Sequence, residues 1–129
     1  MYKRQILGRK SDYWVHKAYT AADIFMMPNI KVEGDMEGFG IVLLEANLHF
    51  TPVLCSDLEG MKDVVEQGIN GIKVKSEHQE HYVMELEKLL SNETLLHMSL
   101  MGCIHVWENF QWDKVAEQYI QYIYKVSGA

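Results

Sequence analysis

The chain has 129 residues, 48% of them apolar, and a formal net charge of −6 with its six histidines counted as neutral. This length and apolar fraction suffice for one domain with a hydrophobic core, and the acidic balance argues against a nucleic-acid partner, whose binding surface is usually basic. Since no run of about 18 apolar residues occurs, no transmembrane helix is expected, and the basic N-terminus lacks the apolar stretch of a secretory signal.

Short apolar runs alternate with helical segments in the first part of the chain, which is typical of an α/β fold. Gly8 follows the first strand candidate, Pro28 ends the second, and Gly68 suits the left-handed end of a helix. Ser11 or Asp12 begins the first helix. The predicted elements are a strand at 6–7, a helix over 12–22, a strand over 24–27, a polar loop over 29–38, a helix over 40–48, a strand over 52–55, a helix over 61–67 and a strand over 72–74.

The remainder of the chain predicts three helices. Ser76 and Gln79 form a capping box at the start of the first. The second covers 95–104, and the third covers 113–126 with apolar residues at helical spacing. The predicted apolar face of the first helix consists of Val83, Leu86, Leu89 and Leu90. Without an internal repeat or a linker, the sequence predicts a single domain over 1–129.

The two cysteines are expected to be reduced. Cys55 lies in a predicted buried strand and Cys103 on a predicted helix, and core thiols are favoured over a disulfide in a chain without an export signal. We therefore expect a cytoplasmic protein, with peripheral attachment to a membrane left open for a full-length form.

Glycines and carboxylates meet in the stretch Glu37-Gly38-Phe39-Gly40-Ile41-Val42-Leu43-Leu44-Glu45. Glycine lets the backbone approach a ligand closely. A helix that begins at Gly40 directs its free N–H groups and the positive end of its dipole outward, which favours a phosphate. Glu37 and Glu45 can accept hydrogen bonds from sugar hydroxyls. The stretch therefore indicates a nucleotide-sugar site.

Several segments in this order resemble the donor-binding, C-terminal part of a retaining glycosyltransferase of the GT-B fold, specifically glycosyltransferase family 4 (group 1). The resemblance covers the chain from about Gly8 onward. It implies a partial Rossmann-like parallel sheet flanked by helices, with a helical C-terminus, and an enzyme that transfers a hexose from a nucleotide-sugar. The matching segments are the strand before the donor loop at 18–28, the E-x7-E motif at 37–45, a strand and turn at 51–57, a helix and strand at 60–74 and the entrance to the last helix at 110–116.

The resemblance implies a role for each residue of the E-x7-E motif at the sugar. Glu37 is the catalytic-site acid that accepts hydrogen bonds from hydroxyls of the donor sugar. Gly38, Phe39 and Gly40 line the sugar with backbone atoms.

The same resemblance implies how the nucleotide part of the donor binds. Gly40, Ile41 and Val42 offer N–H groups to the diphosphate, and Glu45, on the second turn of the helix, holds the ribose hydroxyls. The loop over 8–10 lies near the nucleobase, at the carboxyl ends of the strands. No metal and no cofactor besides the donor are implied.

The chain also departs from the family. Phe50 stands where the family has glycine, which we interpret as a packing change behind the site, and Asn29 replaces a serine. No segment matches the one in which the family carries the arginine and lysine that neutralise the leaving diphosphate. We therefore expect a portion that does not transfer sugar alone, with a missing N-terminal domain and an unknown acceptor. In the doubly wound order the absent strands would border the strand over 24–27, whose exposed edge predicts either self-association or re-pairing with the N-terminal segment.

Other interpretations remain for the same residues. Glu37 and Glu45 could be a glycosidase acid/base pair or solvated surface charges. His78 and His81 lack an evident third metal ligand, and His16 fits a helix-surface position. Two other functions remain open: a non-catalytic nucleotide-sugar-binding or assembly module, and a fragment like a sugar-nucleotide epimerase.

Overall fold

Three parallel strands organise the computed structural model, which describes residues 5–34, 39–90 and 92–128. They are β1 (Phe25–Met27), β2 (Val53–Ser56) and β3 (Gly71–Val74), in the spatial order β1-β2-β3. Phe25 lies opposite Val53 across the first pair, and Val53 lies opposite Gly71 across the second. Every residue of β2 is buried, as expected for the central strand of a sheet covered on both faces.

Helices flank this sheet and confirm the predicted α/β class with a helical C-terminus. Two layers of apolar side chains lie on opposite faces, because alternate residues of β2 point in opposite directions. Val53 and Cys55 belong to one layer, whereas Leu54 belongs to the other. The helices of the described ranges are α1 (Asp12–Ala21), α2 (Ile41–Leu48), α3 (Glu59–Lys62), α4 (Gln79–Leu89), α5 (Asn92–Asn109) and α6 (Trp112–Ser127).

Two buried asparagines join α2 to the segment that precedes β3. Asn47 donates from Nδ2 to the carbonyl oxygens of Asn70 at 2.8 Å and of Thr51 at 3.2 Å. Asn70 donates from Nδ2 to Asn47 Oδ1 at 3.1 Å and to the Val64 carbonyl at 2.9 Å, and its Oδ1 accepts from the Glu66 amide at 2.7 Å. Both amide side chains are thus satisfied inside the core.

The strand predicted at 6–7 and the helix predicted over 61–67 are wrong. Ile6 is fully exposed at 102% and lies outside the sheet, since two apolar residues without a pairing neighbour do not form a strand. The helix is one turn at Glu59–Lys62, and it stops there because Asn70 binds backbone groups of Val64 and Glu66. Gly68 has the expected positive φ of 81°, but in a turn.

The predicted start of α4 is also wrong, and its predicted apolar face is confirmed at Leu86 and Leu89 but not at Val83 and Leu90. His78 is the N-cap and makes no side-chain cap, while Ser76 donates instead to the carbonyl of Asn29 at 3.0 Å. The buried residues of α4 are Tyr82 and Leu89. Leu86 packs against the same core cluster, whereas Val83 and Leu90 are exposed, so the buried stripe includes Tyr82 in place of Val83.

The last helix has an apolar face that the described chain leaves uncovered. α6 spans 16 residues and buries none of them. Tyr119, Ile120, Tyr122 and Ile123 are all exposed. The helix therefore contributes little to the core of the described residues.

Both cysteines are free, Cys55 buried in β2 and Cys103 half-buried on α5. Among the described residues no helix combines the length and apolarity that crossing a membrane requires.

Replacing Asn47 by alanine is expected to lower the free energy of unfolding by about 2 kcal/mol, because buried groups of Asn70 and Thr51 lose their partners. Urea denaturation measures the loss. The control is Asn109→Ala, whose exposed amide donates to the His105 carbonyl, and which should change stability by less than about 0.5 kcal/mol. Equal effects of the two substitutions would contradict the assigned role of the buried pair.

Candidate functional site

The start of α2 depends on the backbone conformation of Gly40. This residue is the N-cap and has φ 68° and ψ 35°, in the left-handed region. A Cβ at this position would lie 3.1 Å from Leu43 Cδ1 and 3.9 Å from the Gly60 carbonyl oxygen. Glycine therefore avoids both a strained backbone and a close contact.

The first two amides of α2 have no acceptor within the helix. The Leu43 amide donates to the Gly40 carbonyl at 2.8 Å, and no side chain caps the helix. Helix geometry leaves the amides of Ile41 and Val42 without an acceptor inside the helix. Their side chains are 61% and 37% exposed, so the helix end is open to solvent. The arrangement suits an anion.

The sugar side of the motif is described only in part. Glu37 and Gly38 lie outside the described residues, as do residues 35 and 36. Phe39 is half-exposed, and its ring meets that of Phe110 edge-on at 6.3 Å between centroids. The roles predicted for Glu37 and Gly38 therefore stay predictions.

Glu45 lies on the second turn of α2, as predicted, and is half-buried. Its Oε2 accepts a hydrogen bond of 3.2 Å from the hydroxyl of Tyr19 on α1. Its carbonyl oxygen lies 2.7 Å from Nδ1 of His49. Since a carbonyl only accepts, the proton of that histidine is assigned to Nδ1.

Tyr19 is held rigidly beside this carboxylate. It is buried, its ring meets Phe25 edge-on at 5.5 Å between centroids, and its carbonyl accepts from Thr51 Oγ1 at 2.6 Å. Burial, then the charge of Glu45 and the hydrogen bond to it, raise the pKa of Tyr19 to about 12. The hydroxyl therefore stays protonated as a donor at neutral pH.

A pair of histidines extends this network to the surface. Nδ1 of His16 lies 3.0 Å from Nε2 of His49, and the two rings stack at 4.9 Å between centroids. Because Nδ1 of His49 carries its proton, Nε2 accepts and His16 donates. His16 is exposed on α1, as expected, and a shallow cavity of about 400 Å³ lies beside the pair. No local sequence pattern indicates the contacts of Tyr19 and His49 with Glu45, from which they lie 26 and 4 positions away in the chain.

The interpretation of Phe50 as a packing residue is wrong. Its side chain is 56% exposed, and its backbone has φ 60°. An L-residue is strained in this region, where glycine is not. The backbone at this position therefore suits a glycine better than the phenylalanine of this chain.

The structure leaves the other candidate residues as predictions, including the loop over 8–10 proposed to lie near the nucleobase. The loop over 8–10 is exposed and leads into α1, whose N-cap Ser11 accepts from the Trp14 amide at 3.4 Å. His78 and His81 are exposed, with stacked rings 5.2 Å apart between centroids. Within the described ranges no group of three or more potential metal ligands occurs.

The larger cavity of the described chain lies under α6. It has about 710 Å³ and is lined by segment 62–67, the end of α5 and one side of α6. Phe39 reaches its wall, but neither Gly40 nor Glu45 does. His105 Nδ1 lies 3.6 Å from Glu66 Oε2 at this cavity.

A family model and two similar proteins all identify this chain as similar to glycosyltransferases. The model of the family described as glycosyl transferases group 1 matches residues 3–99. The chain is 35% identical over 98 residues to a D-inositol 3-phosphate glycosyltransferase of Streptomyces bingchenggensis, covering 76% of this chain and 20% of that protein. It is 32% identical over 114 residues to a phosphatidyl-myo-inositol mannosyltransferase of Mycobacterium leprae, covering 88% of this chain and 29% of that protein.

Among solved structures, sucrose-phosphate synthase from Thermosynechococcus elongatus matches with a TM-score of 0.75 and 22% identity. The match covers 95% of this chain and 30% of that one, and it shows a shared fold. The chain thus spans between a fifth and a third of the length of these similar proteins.

Because Tyr19 has a pKa of 10.0 when unfolded and about 12 when folded, its contribution to stability is fully present below pH 10 and is lost as the pH rises towards 12. Between these values the unfolded chain releases the proton first. The difference in unfolding free energy between wild type and Tyr19→Phe should therefore shrink over this range. Urea denaturation at stepped pH measures it, and a difference that is independent of pH would contradict the assigned environment.

Proposed function

Because the chain belongs to the family of glycosyl transferases group 1, we propose that it is the donor-binding portion of a retaining glycosyltransferase that takes a hexose from a nucleotide-sugar. The observation that carries the proposal is the start of α2, where the amides of Ile41 and Val42 have no acceptor among the described residues and lie one helical turn before Glu45. A nucleotide-sugar carries a diphosphate joined to a ribose, and these two groups match the amides and the carboxylate respectively. We expect binding of the acceptor, which is unknown, to require a further domain such as the longer similar proteins have room for.

The diphosphate binds at the amides of Ile41 and Val42. Two N–H donors and the positive end of the α2 dipole stabilise negative charge at this point. Such fixed dipoles favour a departing diphosphate without reorganisation during the reaction. The protein then acts mainly by positioning the donor and by stabilising the leaving group.

Glu45 accepts hydrogen bonds from the ribose hydroxyls. Its carboxylate lies one helical turn beyond the amides, on the side of α2 that faces α1. An ionised carboxylate accepts from vicinal hydroxyls through two oxygens. Glu37 is the acid that contacts the donor sugar, with the backbone of Gly38, Phe39 and Gly40 along the same ligand.

The chain alone completes no transfer, because its sequence has no counterpart of the basic pair that neutralises the leaving diphosphate in this family. A non-catalytic binding module would use the same amides and the same carboxylate. The two functions therefore differ in turnover, not in donor binding. Turnover by the purified chain with a sugar nucleotide and an acceptor would contradict the proposed dependence on a further domain.

Calorimetric titration with UDP, GDP and ADP, and with their sugar forms, tests the proposed site. We expect one of these nucleotides to bind wild type, and Glu45→Ala to weaken its binding about thirtyfold, as for lost hydrogen bonds to a charged group. The control is Glu87→Ala, an exposed glutamate on α4, which should bind as wild type does. Equal binding by Glu45→Ala and wild type would remove Glu45 from the site.

A matched pair of glycines tests the start of α2. Gly40 and Gly68 both have positive φ, but a Cβ at Gly68 meets no atom within 4 Å. Alanine at either position should cost about 1 kcal/mol of stability through backbone strain. Only Gly40→Ala should weaken nucleotide binding, by about tenfold or more, because only this position sets the amides. Equal affinities of the two variants would show that the diphosphate binds elsewhere.

A further inference from the structure

The carboxylate of Glu45 is a flexible group that must present a fixed oxygen to its ligand. A glutamate side chain on a helix has several rotamers, and ordering it on binding costs free energy. A binding group is effective when a neighbour already holds it in the productive orientation. The neighbours of Glu45 therefore decide how well it binds.

We infer that Tyr19 is a positioning residue of the donor site, whose hydroxyl holds Oε2 of Glu45 so that Oε1 faces the ribose. The inference rests on the proposed function and adds a residue outside the E-x7-E motif. Tyr19 lies on α1 and Glu45 on α2, so the hydrogen bond of 3.2 Å also links the two helices beside the ligand.

Contacts on its ring and backbone hold Tyr19 in place as a hydrogen-bond donor to Glu45. Its ring is buried against Phe25, and its backbone carbonyl is fixed by the hydroxyl of Thr51 at 2.6 Å. The raised pKa of its hydroxyl, caused first by burial, keeps the proton available for the carboxylate. A hydroxyl on such a rigid ring loses little entropy when it orients its partner.

The two oxygens of Glu45 are in different situations. In the described ranges Oε2 accepts from Tyr19, and no hydrogen bond to Oε1 occurs. His49 does not compete for the carboxylate, because its Nδ1 donates to the backbone carbonyl of Glu45. One oxygen is thus held by the protein while the other remains for a ligand hydroxyl.

Tyr19→Phe tests the inference, because it removes the hydroxyl and keeps the ring. Calorimetry is performed with the tightest-binding of UDP, GDP and ADP, and with the 2′,3′-dideoxy form of the same nucleotide. We expect Tyr19→Phe to weaken binding of the ribonucleotide about tenfold, the loss of one hydrogen bond to a charged group. Binding of the dideoxy form, which offers Glu45 no hydroxyl, should be equal in wild type and variant.

A merely structural role of Tyr19 would weaken both ligands equally, and that result would overturn the inference, as would unchanged binding of both. The control Tyr13→Phe alters an exposed tyrosine of the same helix and should bind both ligands as wild type does. If wild type binds no nucleotide, the proposed function fails and this inference fails with it. If wild type binds the ribonucleotide but Tyr19→Phe does not weaken that binding more than binding of the dideoxy form, this inference alone fails.

A double-mutant cycle separates the effect of the Tyr19 hydroxyl on Glu45 from any effect of the substitution on the stability of the fold. In the Glu45→Ala background, Tyr19→Phe should change the affinity for the ribonucleotide by less than about twofold, since its partner is gone. A further tenfold loss in that background would show that the hydroxyl acts by another route and would overturn the assignment.

Discussion

The left-handed conformation of Gly40 determines where α2 begins, and the rest of the proposed site follows from that point. With φ 68° at the N-cap, the chain turns directly into a helix whose first two residues are exposed and whose first amides have no acceptor within the helix. Had the helix begun one turn earlier or later, a different set of amides would be free, and Glu45 would no longer lie one turn beyond them. A single backbone angle thus links the two parts of the proposed site, the one for the diphosphate and the one for the ribose.

The other end of α2 is fixed by the core. Asn47 ties the helix to Asn70 and to the segment before β3, and its Nδ2 leaves so little room that a Cβ at Gly102 would lie 2.9 Å away. A helix anchored in the core at one end and open at the other is a rigid platform for a ligand. Phe50, strained at φ 60° just beyond this anchor, indicates that the surrounding contacts are strong enough to impose the conformation.

The sequence predicted the parts of the fold that local patterns determine. The strand over 24–27 with its proline and the helix beginning at Gly40 were recognisable because their signals are short-range, and the resemblance supplied the order of the elements. It did not predict the end of α3, which depends on Asn70 several residues later, nor the burial of Tyr82 on α4, which depends on α5 and the sheet. For the same reason the sequence could not reveal Tyr19 beside Glu45, since the contact joins two helices through residues that are 26 positions apart in the chain. The cavity under α6 likewise arises only from tertiary packing.

The central claim is that a nucleoside diphosphate binds at the open end of α2. Its most direct test is a titration of the ¹⁵N-labelled chain with the nucleotide that binds best, followed by amide chemical shifts. The account predicts that the largest shifts belong to Gly40, Ile41 and Val42, with smaller ones along α2 towards Glu45. Largest shifts instead at the residues that line the cavity under α6, with the amides of α2 unchanged, would contradict it.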